Sequence, residues 1–517
     1  MLTRLIFLLL PSVCNPLPNF LILFPDQWRS DFAGSFEGLT SLHMPFFESL
    51  SNNGTRFRNA FVPSPLCAPS RACLTAGREY DLAGVPDNFS NDYPLSIPTF
   101  YQLLEKAGYY VMTSGKDDLT KSSGPGVDGQ YHAKELGFSN SARTEGKEDV
   151  LKSNIPTDPY GNFCLQHNIS TNGGNISLWD VLLKRDSDCC SSVKGGSSGY
   201  FCEIPSIIPQ FAYEDDFVTD LSINLLETKP KTVPWLLQVS FPGPHPPFIV
   251  TSSMQNLTLT EDYPPAVDNT ILSQKDDLDI KRLYAAELEN IDTLFQRIVK
   301  KVVDIGDIDN TIIIISSDHG EMLGDHMDWG KTLPWQGSIS VPLVVTAPGL
   351  GIKNQVISGL PVATMDITGT ILDLAGISPV INMTTQSFKQ ILYGLPKSSY
   401  PRQYVSSGLA LWRAVMKEDS ERLWKLICCH GECPGSPSTV ASGIRSYIGD
   451  EWKQNPVIQG YSGDESIGQE HDLVKTGNTT ILLYDVMTDS ADMTNLANEF
   501  PEIVKELQEL LPKGFCQ

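Results

Sequence analysis

The sequence predicts an α/β fold, a sandwich around a large and mostly parallel central sheet, with a smaller α+β domain at the C-terminal end. Three observations predict it. Continuous apolar runs of strand length recur and each ends in polar residues, stretches of helical apolar spacing separate them, and the texture of the chain changes near residue 390. Buried strands that alternate with amphipathic helices are the pattern of a parallel sheet covered on both faces.

The first run, Asn19-Phe20-Leu21-Ile22-Leu23-Phe24, is apolar along its length, as a strand buried on both faces must be, and it delivers Asp26 at its carboxyl end. Trp235 to Phe241 repeats the pattern before Pro242-Gly243-Pro244-His245, and Thr311 to Ile315 repeats it before Ser316-Ser317-Asp318-His319. Between the runs, Phe100, Leu103, Leu104 and Ala107 share a helical face that stops at Gly108. Tyr284, Leu288, Ile291, Phe295, Ile298 and Val302 alternate steps of three and four before Gly306. Open sheets of this class bind ligands beyond the carboxyl ends of their strands, so the polar strand ends locate a candidate site before any motif is considered. After a helical pattern over Met365 to Ala375, Gly, Pro and Ser become frequent and the strand-like runs shorten. The division expected is a large domain over 18–390 and a smaller one over 391–517, the latter ending in an amphipathic helix over Glu502 to Leu511.

At 517 residues with 41% hydrophobic side chains, the chain is long enough to bury a large core. Its 38 basic and 61 acidic residues leave a net charge of -23, which repels phosphate backbones and anionic membrane surfaces at long range. Nucleic acid is thereby excluded as a partner. An anionic substrate is not, because a local cluster of cations reverses the field within one pocket. Arg4 followed by Leu5-Ile6-Phe7-Leu8-Leu9-Leu10 reads as a signal peptide over 1–17, since the apolar run is too short to span a bilayer. No stable membrane insertion is expected. Asn-x-Ser/Thr sequons at Asn53, Asn88, Asn168, Asn175, Asn256, Asn382 and Asn478 suit a glycoprotein of the secretory route, extracellular or lysosomal. Eleven cysteines fit the same compartment, with groups at Cys189/Cys190/Cys202 and Cys428/Cys429/Cys433 read as disulfide staples of open connectivity. A zinc site at Cys429, His430 and Cys433 is the competing reading, weakened by the lack of a second ligand pair at finger-like spacing.

The segment Cys67-Ala68-Pro69-Ser70-Arg71-Ala72-Cys73-Leu74-Thr75-Ala76-Gly77-Arg78 carries the chemistry. Alone, Cys67 is more readily a buried hydrophobe or half a disulfide. The segment resembles the signature of the sulfatase family, C-x-P-S-R followed by G-R, in which the cysteine is oxidised to formylglycine (3-oxoalanine) by a dedicated generating enzyme. The resemblance runs from Pro18 to Leu483-Tyr484-Asp485 and Thr494-Asn495-Leu496, and it implies the alkaline phosphatase-like fold. It implies further that the aldehyde hydrates to a diol, one hydroxyl of which attacks sulfur while the other later expels sulfate. The nucleophile is expected to start a helix, where backbone N–H groups favour an anion, with Arg71 holding it in place.

The same resemblance assigns metal ligands to two strand ends, here Asp26 with Gln27 and Asp318 with His319, joined by the modified Cys67. One Ca²⁺ per chain is expected from the oxygen-rich set, although an imidazole also accepts manganese or zinc. Many members carry a second Asp where this chain has Gln27. Lys331 and Lys116 correspond to lysines that contact the sulfate, and His245 to the histidine that protonates the departing alcohol. Where many members have Gly-Lys-x-His, this chain has Gly115-Lys116-Asp117-Asp118. Asp118 is therefore either the base in place of that histidine or a structural carboxylate paired with a lysine. An Asp there resembles arylsulfatase K and its relatives, which points to a sulfated carbohydrate as substrate. Asp325 and His326 are expected near the metal pair, at the rim of the site or in a structural role.

Two other readings compete. Phosphonate monoester hydrolases and related phosphodiesterases share the formylglycine and resemble this chain at Pro25-Asp26-Gln27-Trp28-Arg29-Ser30-Asp31. A catalytically silent glycan-binding protein is the other, disfavoured because a binding module has no use for a nucleophile, metal carboxylates, two lysines and a proton donor together.

Overall fold

Eight strands make the large sheet: Asn19–Pro25 (β1), Thr55–Phe57 (β2), Tyr110–Gly115 (β3), Asn140–Arg143 (β4), Trp235–Phe241 (β5), Thr311–Ile315 (β6), Leu343–Thr346 (β7) and Gln355–Ile357 (β8). The computed structural model describes residues 16–88, 92–120, 131–147, 158–171, 174–184, 201, 204–268, 273–431, 433, 479–512 and 515–516. The expected signal peptide lies almost wholly outside the described residues, as do Cys189, Cys190 and Cys202. Across the sheet the order is β8-β2-β7-β6-β1-β5-β3-β4. Only β7 runs against its neighbours; every other pairing is parallel. The mostly parallel sheet expected from the apolar runs is present, and β5 and β6 keep the limits expected for them.

The absence of polar alternation in β1 has a direct cause. Leu21 and Leu23 enter one core, while Phe20, Ile22 and Phe24 enter the other. Helices Glu214–Thr228 and Gln274–Asp304 cover the first face. The second is covered by Cys67–Ala76 (α1), Phe100–Lys106 and Asp366–Leu374. With both faces dry, β1 and β6 hold no polar side chain after their first residue, and polar residues follow at their carboxyl ends.

Register brings those ends together. Pro25 sits opposite Phe241, Leu23 opposite Ile315, and Gly115 opposite Ser240, so Asp26, Lys116, Pro242-Gly243-Pro244-His245 and Asp318 leave one edge of the sheet side by side. Gly115 is required there: its φ is +81°, and a Cβ would lie 2.0 Å from the Ser240 carbonyl oxygen.

A separate antiparallel sheet, Val405–Leu409 (β9), Trp412–Glu418 (β10), Leu423–His430 (β11) and Thr479–Asp485 (β12), follows in chain order. One of its faces packs Trp412 against Trp335 and Leu66 of the large unit; the other packs Trp424 and Leu483 against Leu507 of the C-terminal helix Pro501–Gln508. Cys429 is joined to Cys433 and Cys428 to Cys516, which consumes the two thiols that the zinc reading needs. Among the described residues, no helix is long and apolar enough to cross a membrane.

Candidate active site

Cys67 is the first residue of α1 and is buried. The preceding Leu66 has extended backbone and offers no side-chain cap, so the end of the helix is satisfied from elsewhere: Asn88 Oδ1 accepts the Ala68 N–H at 2.9 Å. Gly77, left-handed at φ 59°, closes the helix. Those two ends explain why the motif needs Gly77 ten residues after Cys67. They do not explain Asn88, which the sequence presents only as a glycosylation sequon.

Around the sulfur stand four groups from three strand ends and one loop. Lys331 Nζ is 2.9 Å from Cys67 Sγ, His319 Nε2 3.2 Å, Lys116 Nζ 3.7 Å and Asp26 Oδ1 4.0 Å. Arg71, one turn along α1, donates through Nε to Asp318 Oδ2 at 2.9 Å and pairs through Nη2 with Asp26 Oδ2 at 3.2 Å. Its third nitrogen, Nη1, donates to the Lys116 carbonyl. Lys116 in turn lies 2.6 Å from Asp26 Oδ2 and 3.4 Å from Asp118 Oδ2. The site is thus a lattice of alternating charges with Cys67 at its centre.

The electrostatics follow from burial and neighbours. Burial alone raises the Asp26 carboxyl, but Lys116, then His245, Lys331 and Arg71, outweigh it and hold it well below the ordinary carboxylate range. Burial, then Asp26, pushes the Cys67 thiol up to about 11, against the opposing pull of Lys116 and Lys331. Unmodified Cys67 is therefore a protonated thiol at neutral pH, a poor nucleophile. His319 is lowered to about 4, chiefly by burial, and its Nδ1 faces the Gly320 carbonyl at 3.0 Å. This assigns the proton to Nδ1 and leaves the Nε2 lone pair toward Cys67.

Asp26, Cys67, Asp318 and His319 each direct one ligand atom into a space where all four atoms lie within 4.8 Å of one another. His319 Nε2 is 3.5 Å from Asp26 Oδ1 and 3.7 Å from Asp318 Oδ2. A cation held at 2.3–2.6 Å from each ligand imposes ligand separations of roughly 3.4 Å, so the donor set fits a single divalent ion. Gln27 joins them from a left-handed backbone, φ 70°, with its N–H on Asp318 Oδ1 at 3.0 Å and its side-chain Oε1 accepting from Lys331 Nζ at 2.8 Å. Glu321, which sequence reasoning passed over, accepts from the other end of that carboxamide. Its position three residues after Asp318 was the available signal.

His245 lies on the loop after β5, between two cis peptides, Gly243-Pro244 and Pro246-Pro247. Its Nδ1 faces the Pro246 carbonyl at 2.5 Å, and burial, then Lys331 and Lys116, pushes the ring well below the usual histidine range. Asp325 accepts from Arg29 Nη2 and from the Val267 N–H, each at 2.8 Å; His326 stacks on Trp335 with ring centres 4.8 Å apart. Both line a cavity of about 240 Å³ that none of Asp26, Cys67, Lys116, His245, Asp318, His319 or Lys331 lines, so their observed contacts are those of a wall.

The model of the family described as Sulfatase matches residues 18–377. Choline-sulfatase of Rhizobium meliloti (strain 1021) is 28% identical over 70% of this chain and 68% of its own length. Arylsulfatase K of Gallus gallus is 25% identical over 96% of this chain and 82% of its own. Among solved structures, a protein in complex with its substrate D-glucosamine-2-N,6-O-disulfate shares the fold at a TM-score of 0.66 and 19% identity, covering 96% of both chains. A phosphonate monoester hydrolase of Agrobacterium radiobacter does so at 0.68 and 19% identity, over 95% of this chain and 94% of its own.

Proposed function

Since this chain belongs to the sulfatase family and is a sulfuric ester hydrolase, we propose that it works through a formylglycine derived from Cys67 beside one Ca²⁺, on a sulfated carbohydrate. The observation that carries the reading is the convergence of two ammonium groups and an imidazole on Cys67 Sγ at the start of a buried helix. Once formed, the hydrated aldehyde supplies a hydroxyl that attacks sulfur and a second that expels sulfate as the carbonyl returns. Bound calcium supplies charge neutralisation and acidifies the attacking hydroxyl.

The chain's own residues do the rest. Asp26, Gln27, Asp318 and His319 hold the ion, and the oxygen-rich set favours calcium. Lys331 and Lys116 bind the sulfate oxygens and stabilise charge that grows on them during transfer. Arg71 fixes the two carboxylates relative to α1. His245, whose Nδ1–H is committed to the Pro246 carbonyl, gives a proton from Nε2 to the departing alcohol as the imidazolium, a form that the charge of a bound sulfate favours. Asp118, beside Lys116, takes the proton from the second hydroxyl.

A sulfated carbohydrate is supported by the resemblance of the Gly115-Lys116-Asp117-Asp118 segment to arylsulfatase K, to which this chain is similar over 96% of its length, and by the fold shared with a protein solved on a sulfated glucosamine. The domain limits at 17 and 390, and delivery through the secretory route to the lysosome or the exterior, belong to the same proposal. The test is turnover of an aryl sulfate against an aryl phosphonate, using chain coexpressed with the formylglycine-generating enzyme. Faster sulfate hydrolysis, lost in Cys67→Ala, supports the proposal; faster phosphonate hydrolysis would overturn it in favour of the phosphonate monoester hydrolase reading.

A further inference from the structure

We infer that Glu321 restores, from behind Gln27, the negative charge that the metal site lacks at that position, and that it locks the Gln27 carboxamide in its ligating orientation. The inference rests on reading the site as a calcium centre. Glu321 is wholly buried, and Gln27 is too. One Glu321 oxygen, Oε2, accepts from Gln27 Nε2. The other, Oε1, accepts the N–H of Leu323 at 3.0 Å and of Gly330 at 2.6 Å. Three N–H donors on one carboxyl group are what an anion accepts, and they offset the cost of burying it.

Donor and acceptor types fix the orientation of the carboxamide. At its far end, Gln27 Oε1 accepts from Lys331 Nζ at 2.8 Å, and that ammonium is the group 2.9 Å from Cys67 Sγ. An ammonium only donates and a carboxylate only accepts, so the carboxamide between them has a single arrangement, with its oxygen on the Lys331 side and its nitrogen on the Glu321 side. The backbone holds the same residue from two more directions: the Gln27 N–H meets Asp318 Oδ1 at 3.0 Å, and its carbonyl accepts from Tyr284 Oη at 2.7 Å.

Polarisation of the amide carries the charge toward the metal side. A carboxylate that accepts from a carboxamide N–H draws electron density through the amide toward its oxygen, which makes that oxygen a better ligand for a hard cation. Where a carboxylate in the position of Gln27 would bring its charge directly, this chain brings it one bond network further out. Glu321 also ties the ion to the sulfate-binding lysine, since its Oε1 fixes the Gly330 N–H immediately before Lys331. Glu321 is thus a positioning residue for both.

The experiment is calorimetric titration with calcium of the full chain, coexpressed with the generating enzyme and freed of metal, as parent, Glu321→Gln, Gln27→Glu and the double variant. Glu321→Gln is expected to weaken calcium binding about 10–100-fold, the usual effect of removing a partner behind a ligand. Gln27→Glu alone is also expected to weaken it, because two buried carboxylates then face each other. The double variant, which exchanges amide and carboxylate, is expected to return to within about threefold of the parent. Parent-like binding by Glu321→Gln would overturn the role of Glu321 and leave the metal reading intact. A parent that takes up no calcium would overturn both. If Glu321→Gln does not fold, recovery of fold and calcium binding in the double variant supports the inference, and a double variant that also fails to fold overturns it.

Discussion

Lys331 and Cys67 meet at 2.9 Å, Nζ to Sγ, although 263 residues lie between them in the chain. The lysine reaches the sulfur from a loop whose next residue, Thr332, is left-handed at φ 80°. If this ammonium binds the transferring sulfate, Lys331→Met removes a cation from a dry site. We expect kcat/KM for an aryl sulfate to fall about 10²–10³-fold with Tm little changed, as for loss of one donor aimed at developing charge. Steady-state kinetics and a melting curve check this.

Thr332 is a β-branched residue in a conformation that costs about 1–3 kcal/mol, so its surroundings must impose it. They do so from two sides: its N–H donates to the Pro65 carbonyl at 3.0 Å, and its carbonyl accepts from Trp412 Nε1 at 2.9 Å, across from the C-terminal sheet. Trp412→Phe is expected to destabilise the protein by about 2–3 kcal/mol, from the unpaired carbonyl and lost ring volume. It should also lower kcat/KM about tenfold, because Lys331 loses its support. Urea unfolding and kinetics on the same preparation measure both.

Asp118 Oδ2 lies 3.4 Å from Lys116 Nζ and its side chain is 20% exposed. A base for the second step and a mere partner of Lys116 differ in kinetics. As a base, Asp118→Asn should release alcohol in a burst equal to the enzyme present and then turn over slowly, because sulfate expulsion stalls. As a partner alone, it should raise KM without a burst. The proposed role predicts the burst, read by stopped-flow with a chromogenic sulfate.

Two buried carboxyl groups should each contribute more stability as the pH falls from 7.5 to 5. Burial pushes the Asp215 carboxyl up to about 6 and the Glu287 carboxyl up to about 7, despite Lys147, whose Nζ is 2.5 Å from Glu287 Oε2. Both values lie above those of the unfolded chain, so over this window these two groups bind more protons in the native state and their contribution is lost as the pH rises. A carboxyl that holds its proton about tenfold more tightly in the folded chain than in the unfolded one contributes ~1.4 kcal/mol to this effect. Buried His319 and His245, held below the usual histidine range, act in the opposite direction, so the test is a difference: the melting temperature of the parent relative to Glu287→Gln should fall between pH 5 and 7.5.

The parts legible in the sequence were those with a local physical cause. β1 and β6 are apolar after their first residue because both faces are dry, and the polar residues that follow β1, β5 and β6 leave one edge of the sheet together. The helix over Gln274–Asp304 showed its apolar stripe in the same way. What stayed hidden depends on distant contacts. Glu321 reads as an ordinary surface acid until the fold buries it against Gln27. Asn88 reads as a sequon until its Oδ1 meets the Ala68 N–H. The clamp of Trp412 on Thr332 spans 80 residues and leaves no periodic trace.

The proposed activity requires Cys67 to be converted to an aldehyde and used as its hydrate. Mass spectrometry of the peptide containing Cys67, from protein purified from its native host, tests it most directly. Active material is expected to carry the aldehyde or its hydrate in place of the cysteine side chain. An intact thiol throughout a preparation that hydrolyses sulfate esters at full rate would contradict it.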